Sequence, residues 1–300
     1  MPTKETEPEP VPSLLKFWGG LYNAVPKLKI PGTQFPIGFT IICTIFFSST
    51  RFFYTFLHTE IFGFNFANPK TRDMIACSTS LTHSLLLVPA LWQVLRSQPY
   101  TPTAPIANTP KYYQDNVTAL LSMCTGYMFY DFIFMLARNN WSLHTEDIAF
   151  AAHHFVTVAY MSQTRVLGAG HISAMGLMFT GEFTNPMQNS HAITRFAIQM
   201  AGDDSLWHAI HPYVEYIYAV SYFFFRSVVG PLQIIHISYD LLTKEGRKHI
   251  PLYIGIVWII MIWGIILGSY PWTLESFEMV KDGLEVKYHT SYEYGPRYEF

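Results

Sequence analysis

The stretch from residue 146 to residue 191 concentrates the groups able to do chemistry. Adjacent His153 and His154 sit inside one apolar helical pattern, and Glu182, Asn185 and Asn189 in the next. A neutral imidazole beside a carboxylate can act as a general base, or as a nucleophile toward an activated acyl group. Glu182, and Asp131 from an earlier apolar segment, are the carboxylates available to orient such a ring, as the third member of a catalytic triad does. Glu182, Asn185 and Asn189 stand at i, i+3 and i+7, so they share one helical face. His153 and His154 point about 100° apart on a helix, so only one can face the centre squarely.

Arg51, His83, Arg226 and His236 lie at similar depth in other apolar segments. A charged side chain at mid-helix costs about 2.5–3.5 kcal/mol on insertion scales. Scattering this many over lipid-facing surfaces would be prohibitive, so they are expected to converge on a shared interior. No G-x-S-x-G or H-E-x-x-H pattern occurs, which argues against serine hydrolase and zincin chemistry. His153, His154, Glu182 and Asp131 include no i, i+4 ligand pair, so no metal site is expected among them. The competing reading is structural: polar groups between membrane helices often serve only as interhelical hydrogen bonds of about 0.6 kcal/mol each.

The elements that must position these groups are membrane helices. The chain has 300 residues, of which 50% are hydrophobic and 13% charged, where soluble domains carry about 25% charge. Runs of about 20 residues with few charges predict an all-α, polytopic transmembrane bundle. The net charge of −2 gives no reason to expect nucleic acid. Cys43, Cys77 and Cys124 lie in apolar stretches without metal or disulfide spacing, and read as small buried residues.

Seven spans are expected, at residues 37–57, 74–95, 117–137, 146–163, 171–200, 206–242 and 250–270. Pro186 should break the fifth and Pro231 should kink the sixth. Residues 1–36 read as a polar, Pro-rich arm in which Phe17, Trp18 and Tyr22 form a short interfacial piece. Residues 271–300 read as a polar, Tyr-rich tail. No cleavable signal or transit peptide is recognisable, so the first span is expected to act as the anchor. The Lys/Arg bias favours a cytosolic or matrix-facing N-terminus.

Several motifs follow one another in order: STSLTHSLL with His83, GYMFYDFIFML with Asp131, His153-His154, GEFTNPMQNSH with Glu182 and Asn189, and YFFFRSVVGP with Arg226. Together they resemble the TLC-domain family, the membrane superfamily that includes ceramide synthases, translocon-associated proteins and a set of small TLC-domain proteins. The resemblance covers roughly residues 40–270 and implies a six-helix core, here with one extra helix, enclosing a lipid-sized cavity. In the ceramide synthase branch, paired histidines and a later aspartate pair carry acyl transfer from acyl-CoA. The histidines match His153 and His154, but no aspartate pair follows. The segment GEFTNPMQN is closer to the small members, for which lipid binding or control of membrane phospholipid composition is implied.

Two functional expectations follow. One is a lipid-handling protein, with acyl-CoA-dependent acyl transfer as its enzymatic form. His153 or His154 is then the base or nucleophile and Asp131 and Glu182 are the orienters. His83, Asn185, Asn189 and Arg226 line the cavity, and acyl-CoA is the co-substrate with no other cofactor. The other is a non-catalytic accessory subunit of a large membrane assembly, held through the polar arms at the two ends. The resemblance implies the endoplasmic reticulum, with the mitochondrial inner membrane as the alternative. A transporter is disfavoured because no inverted repeat is present.

Overall fold

The computed structural model of the chain describes residues 13–30, 36–97, 102–144, 147–201 and 206–286. Residue 146, read as the start of the fourth span, lies outside them. The elements are helices: α1 Ser13–Ala24, α2 Gly38–Phe56, α3 Pro69–Arg96, α4 Lys111–Arg138, α5 Asp147–Leu167, α6 His171–Glu182, α7 Asn185–Ala201, α8 Leu206–Phe224, α9 Gly230–Leu242, α10 Gly246–His249, α11 Leu252–Gly268 and α12 Tyr270–Val286. Among the described residues the only β pairing is two isolated bridges, Lys29 with Pro36 and Pro105 with Ala169.

Proline and small polar residues set the boundaries. The Asn68 side chain accepts from Lys70 N at 3.0 Å and Pro69 opens α3. The cap supplies an acceptor for one orphan N–H of the first turn, and proline at the first position removes another. Helix α3 therefore begins at Pro69 rather than at 74, and α4 begins at Lys111, directly after Pro110. Pro186 lies in the first turn of α7, so the chain turns between Glu182 and Asn185, as expected. Pro231 cannot donate to the carbonyl four residues back, and a π-helical turn at Phe225–Val229 joins α8 to α9 there. The α5–α6 link has Gly168 at φ 64° and Gly170 at φ 79°. A Cβ on Gly170 would also lie 2.7 Å from the Trp258 ring.

Among the described residues, five helical stretches are long and apolar enough to cross a membrane: Gly38–Ile61, Pro69–Arg96, Lys111–Arg138, Leu206–Leu242 and Leu252–Gly283. Helix α5 and the α6–α7 pair, expected as two further spans, fall outside that set. The reason is physical: α5 carries Asp147, both histidines and Arg165, and the turn at 183–184 leaves α6 and α7 short. Leu206–Leu242, 37 residues long, would run about 55 Å, beyond the roughly 30 Å of a hydrocarbon core. Phe52, Phe155, Ile260 and Leu267 project from the outer surface, each more than 60% exposed. That inside-out distribution suits a surface solvated by lipid.

Helix contacts run in a closed circuit: α2 on α3, α3 on α7, α7 on α8, α8 on α12, α12 on α11, α11 on α5, α5 on α4 and α4 on α2. Helix α6 packs against α3, α5 and α9 within it. Helices α2 and α4 approach closely at Gly126, where the Thr44 hydroxyl donates to Gly126 O at 3.0 Å. A Cβ there would lie 2.6 Å from Thr40 O and 2.8 Å from Cys43 Cβ. Small residues let membrane helices approach in this way. Gly126→Ala is predicted to force the two backbones apart at a cost of about 1–3 kcal/mol, read as a lower thermal midpoint of the detergent-solubilised protein. An unchanged midpoint would refute this packing.

The two ends are more structured than the sequence reading had them. Helix α1 buries Leu15, Trp18 and Tyr22 against the bundle, leaving Phe17 outside. Asn23 Nδ2 donates to Asp115 Oδ2 at 2.9 Å, and Lys111 pairs with the same carboxylate. The last helix continues past 270 as α12, which packs along α8. Asp115 is 5% exposed, and hydrogen bonds to a charged partner contribute about 1.5–3 kcal/mol. Asp115→Ala is therefore predicted to free α1, seen as faster proteolysis within residues 13–30 with the remaining helices protected.

Candidate active site

His154 and Asp131 meet at the α4–α5 contact, with His154 Nε2 3.2 Å from Asp131 Oδ2. The other ring nitrogen, Nδ1, faces Phe150 O at 2.9 Å. A carbonyl oxygen and a carboxylate both only accept. Nδ1 therefore carries a proton toward Phe150 O, and Nε2 is taken up by the Asp131 carboxyl group. With both nitrogens engaged, His154 has no free lone pair with which to take a proton from a substrate. Its place is to hold Asp131 and the α4–α5 register.

A second imidazole–carboxylate pair lies one layer away. His83 Nδ1 is 3.5 Å from Glu182 Oε2, with His83 fully buried and the Glu182 side chain 9% exposed. This is longer than a good hydrogen bond, and neither His83 ring nitrogen has a hydrogen-bond partner. The His83 ring stacks on Tyr127 at 3.9 Å with an angle of 9°, and meets Phe47 edge-on. Glu182 accepts from Asn185 Nδ2 at 2.8 Å across the α6–α7 turn. The pairing differs from expectation: Glu182 orients His83 rather than the adjacent histidines, and His83 is packed in the core rather than on a cavity wall.

Tyr127 links the two pairs. Its ring lies against His83, its hydroxyl is 3.4 Å from Asp131 Oδ2, and Ser80 is within hydrogen-bonding reach of it. Ser80 in turn accepts from Asn189 Nδ2 at 3.0 Å. A continuous polar track therefore runs from Asn189 through Ser80 and Tyr127 to Asp131 and His154, with residues from α3, α4, α5 and α7. The costly side chains do converge.

His153 is the exception to this saturation. It is exposed, yet the groups within its electrostatic reach are His154, Arg226, Glu182 and Asp131, which come from α4, α5, α6 and the π turn. Arg226 donates to Gly181 O at 3.3 Å and its guanidinium covers the Tyr222 ring. Asn185 is taken up by Glu182, and His236 is exposed on α9, away from the track.

A cleft of about 300 Å³ opens over Asp131. Arg51, Arg72, Ser80, Tyr127, Phe150 and Asn189 are on its wall, as is Arg138, which pairs with Asp73 at 2.5 Å. This is at the small end of ligand pockets, room for a headgroup or the end of an acyl chain rather than a whole lipid. Of the four residues expected to line a cavity, Asn189 does so here, while His83, Asn185 and Arg226 are not on this wall. A larger recess of about 540 Å³ lies at Gly63–Asn68 and the end of α7. It holds no histidine, aspartate or glutamate, so the chemistry belongs to the smaller cleft.

The TLC domain family model matches residues 73–277, which includes every residue of the track. The chain belongs to the TLC-domain family. It is an integral membrane protein of that family, a helical bundle whose matched region runs from the first turn of α3 into α12. No curated protein matches the chain. Helices α1 and α2 precede the matched TLC domain, although α2 supplies Arg51 to the cleft.

Two groups in this TLC-domain protein have metal-ligand chemistry: His83, Cys124 and Glu182, and His191, His211 and Glu215. In each, the candidate ligand atoms lie within 4.8 Å of one another. The first is sealed under Tyr127 and Phe47. The second escaped the sequence reading, although His211 and Glu215 form an i, i+4 pair within HPYVE that could have shown it. Arg72 and Arg138 were also missed as site residues, because the expected span limits, 74–95 and 117–137, left both in the flanking loops.

Proposed function

We propose that this protein handles a phosphate-bearing lipid or acyl donor at the Asp131 cleft, with acyl transfer as the reaction class and His153 as general base. The observation that carries the reading is His153: an exposed imidazole on α5 within electrostatic reach of Asp131, beside His154, whose two ring nitrogens are both engaged. Three arginines on one cleft wall, Arg51, Arg72 and Arg138, support an anionic substrate group. Arg72 Nε is buried with no hydrogen-bond partner, and guanidinium forks match phosphate oxygens.

In this reaction His153 removes the proton from an acceptor hydroxyl or amine. The freed oxygen or nitrogen attacks the thioester carbonyl of acyl-CoA, and the C–S bond breaks. The thiolate then takes the proton from the His153 imidazolium, so one acyl group and one proton change places. The missing aspartate pair and the GEFTNPMQN segment favour a phospholipid-directed member over a ceramide synthase. The family points to the endoplasmic reticulum.

The test is direct. The full chain, reconstituted in phospholipid nanodiscs with a photoactivatable acyl-CoA, should crosslink at residues of α3 or α4 bordering the cleft and should release free CoA. Arg72→Ala should weaken the crosslink. No crosslink and no CoA release from the folded protein would remove the reading.

A further inference from the structure

We propose that His191, His211 and Glu215 form a binding site for a divalent transition-metal ion of the zinc class, bridging α7 and α8. The site is separate from the acyl-transfer cleft and does not depend on it. His191 and His211 are buried, and the Glu215 side chain is 29% exposed, leaving one open side for an ion to enter. Two imidazoles and one carboxylate are a donor set suited to such an ion.

The geometry is close to a ligand cage. His191 Nε2 is already 3.7 Å from Glu215 Oε1, and all three ligand atoms lie within 4.8 Å. A tetrahedral ion with ligands near 2.0–2.1 Å would hold them about 3.3 Å apart, a contraction that side-chain rotation supplies. His211 and Glu215 project from the same face of α8, one turn apart.

The orientation of His211 is the second observation. Its Nδ1 is 2.8 Å from Thr194 Oγ1, and that hydroxyl donates its own proton to His191 O at 3.0 Å. Thr194 can then only accept from His211, which places the proton on Nδ1 and leaves Nε2 bare. Metal-ligating histidines are held in this way by a partner on the other ring nitrogen. The His191 ring stacks with His211 and with Tyr218, with centroids at 5.1 and 4.9 Å. Arg195 lies within electrostatic reach of His211, and of Glu275 on α12, whose carboxylate offsets that positive charge.

The experiment uses the full chain in nanodiscs, exposed to Zn²⁺ alone, desalted and assayed for metal content. About one equivalent should remain, and the thermal midpoint should rise with Zn²⁺ concentration. His191→Ala, His211→Asn and Glu215→Gln should each lose the ion, whereas Cys124→Ser should keep it. Substitution by Co²⁺ should give tetrahedral visible bands without a thiolate charge-transfer band. The wild type retaining no Zn²⁺ would overturn the proposal, as would a cobalt–thiolate band that vanishes in Cys124→Ser. The cobalt spectrum reads the wild type, so it decides the matter even if a variant fails to fold.

Discussion

His153→Ala should abolish most CoA release from acyl-CoA, by about 10²–10⁴-fold, the usual contribution of a positioned general base, while leaving the thermal midpoint close to that of the wild type. The two halves of this expectation come from the same observation. His153 is exposed, so removing its ring leaves no packed cavity. Its neighbour should behave in the opposite way. His154 is 6% exposed and contacts both Phe150 O and Asp131. His154→Ala would strand a carboxylate between helices, so the fold should suffer along with turnover. Single-turnover CoA release and thermal unfolding, measured on both variants, separate a base from a structural ring. If His153→Ala turns over normally, the proposed mechanism is wrong whatever the lipid.

Glu182→Ala should be the most damaging single change to stability, by about 3 kcal/mol, the lower end for removing one partner of a buried pair. Three contacts would go together. His83 is fully buried and would lose the Glu182 carboxylate beside it, with Nε2 already unpartnered. Asn185 would lose its acceptor across the α6–α7 turn. The vacated space would adjoin Cys124, whose sulfur lies within 4.8 Å of the carboxylate. Glu182→Gln keeps the shape and one acceptor oxygen, so it should cost about 1 kcal/mol, an ordinary hydrogen-bond increment. Interhelical hydrogen bonds in membranes average only about 0.6 kcal/mol, which is the competing expectation. A Glu182→Ala midpoint within a degree or two of the wild type would favour that smaller figure and demote the pair to ordinary packing.

The chemical and architectural levels were not equally legible. Long apolar runs with few charges have no stable alternative to helix in lipid, because every backbone N–H and C=O must be satisfied within the segment. The helical bundle, the breaks at Pro186 and Pro231, and the TLC-domain resemblance were therefore present in the linear order of residues. So was the convergence of the ionisable groups, since dispersed charges facing lipid would be too costly. Which group meets which was not. Adjacent His153 and His154 look equivalent in sequence, and only the packing of α5 on α4 directs one ring onto Asp131 and leaves the other open. Glu182 lies about one hundred residues from His83 in the chain, and only the contact of α6 with α3 pairs them. The ends were legible in part: α1 buries Leu15, Trp18 and Tyr22, an apolar helical face that the sequence carries, whereas the contact of Asn23 with Asp115 and the packing of α12 along α8 are tertiary. Partner choice depends on helix rotation and crossing, and these are set by close approaches such as Gly126 against Thr40, which no single segment encodes.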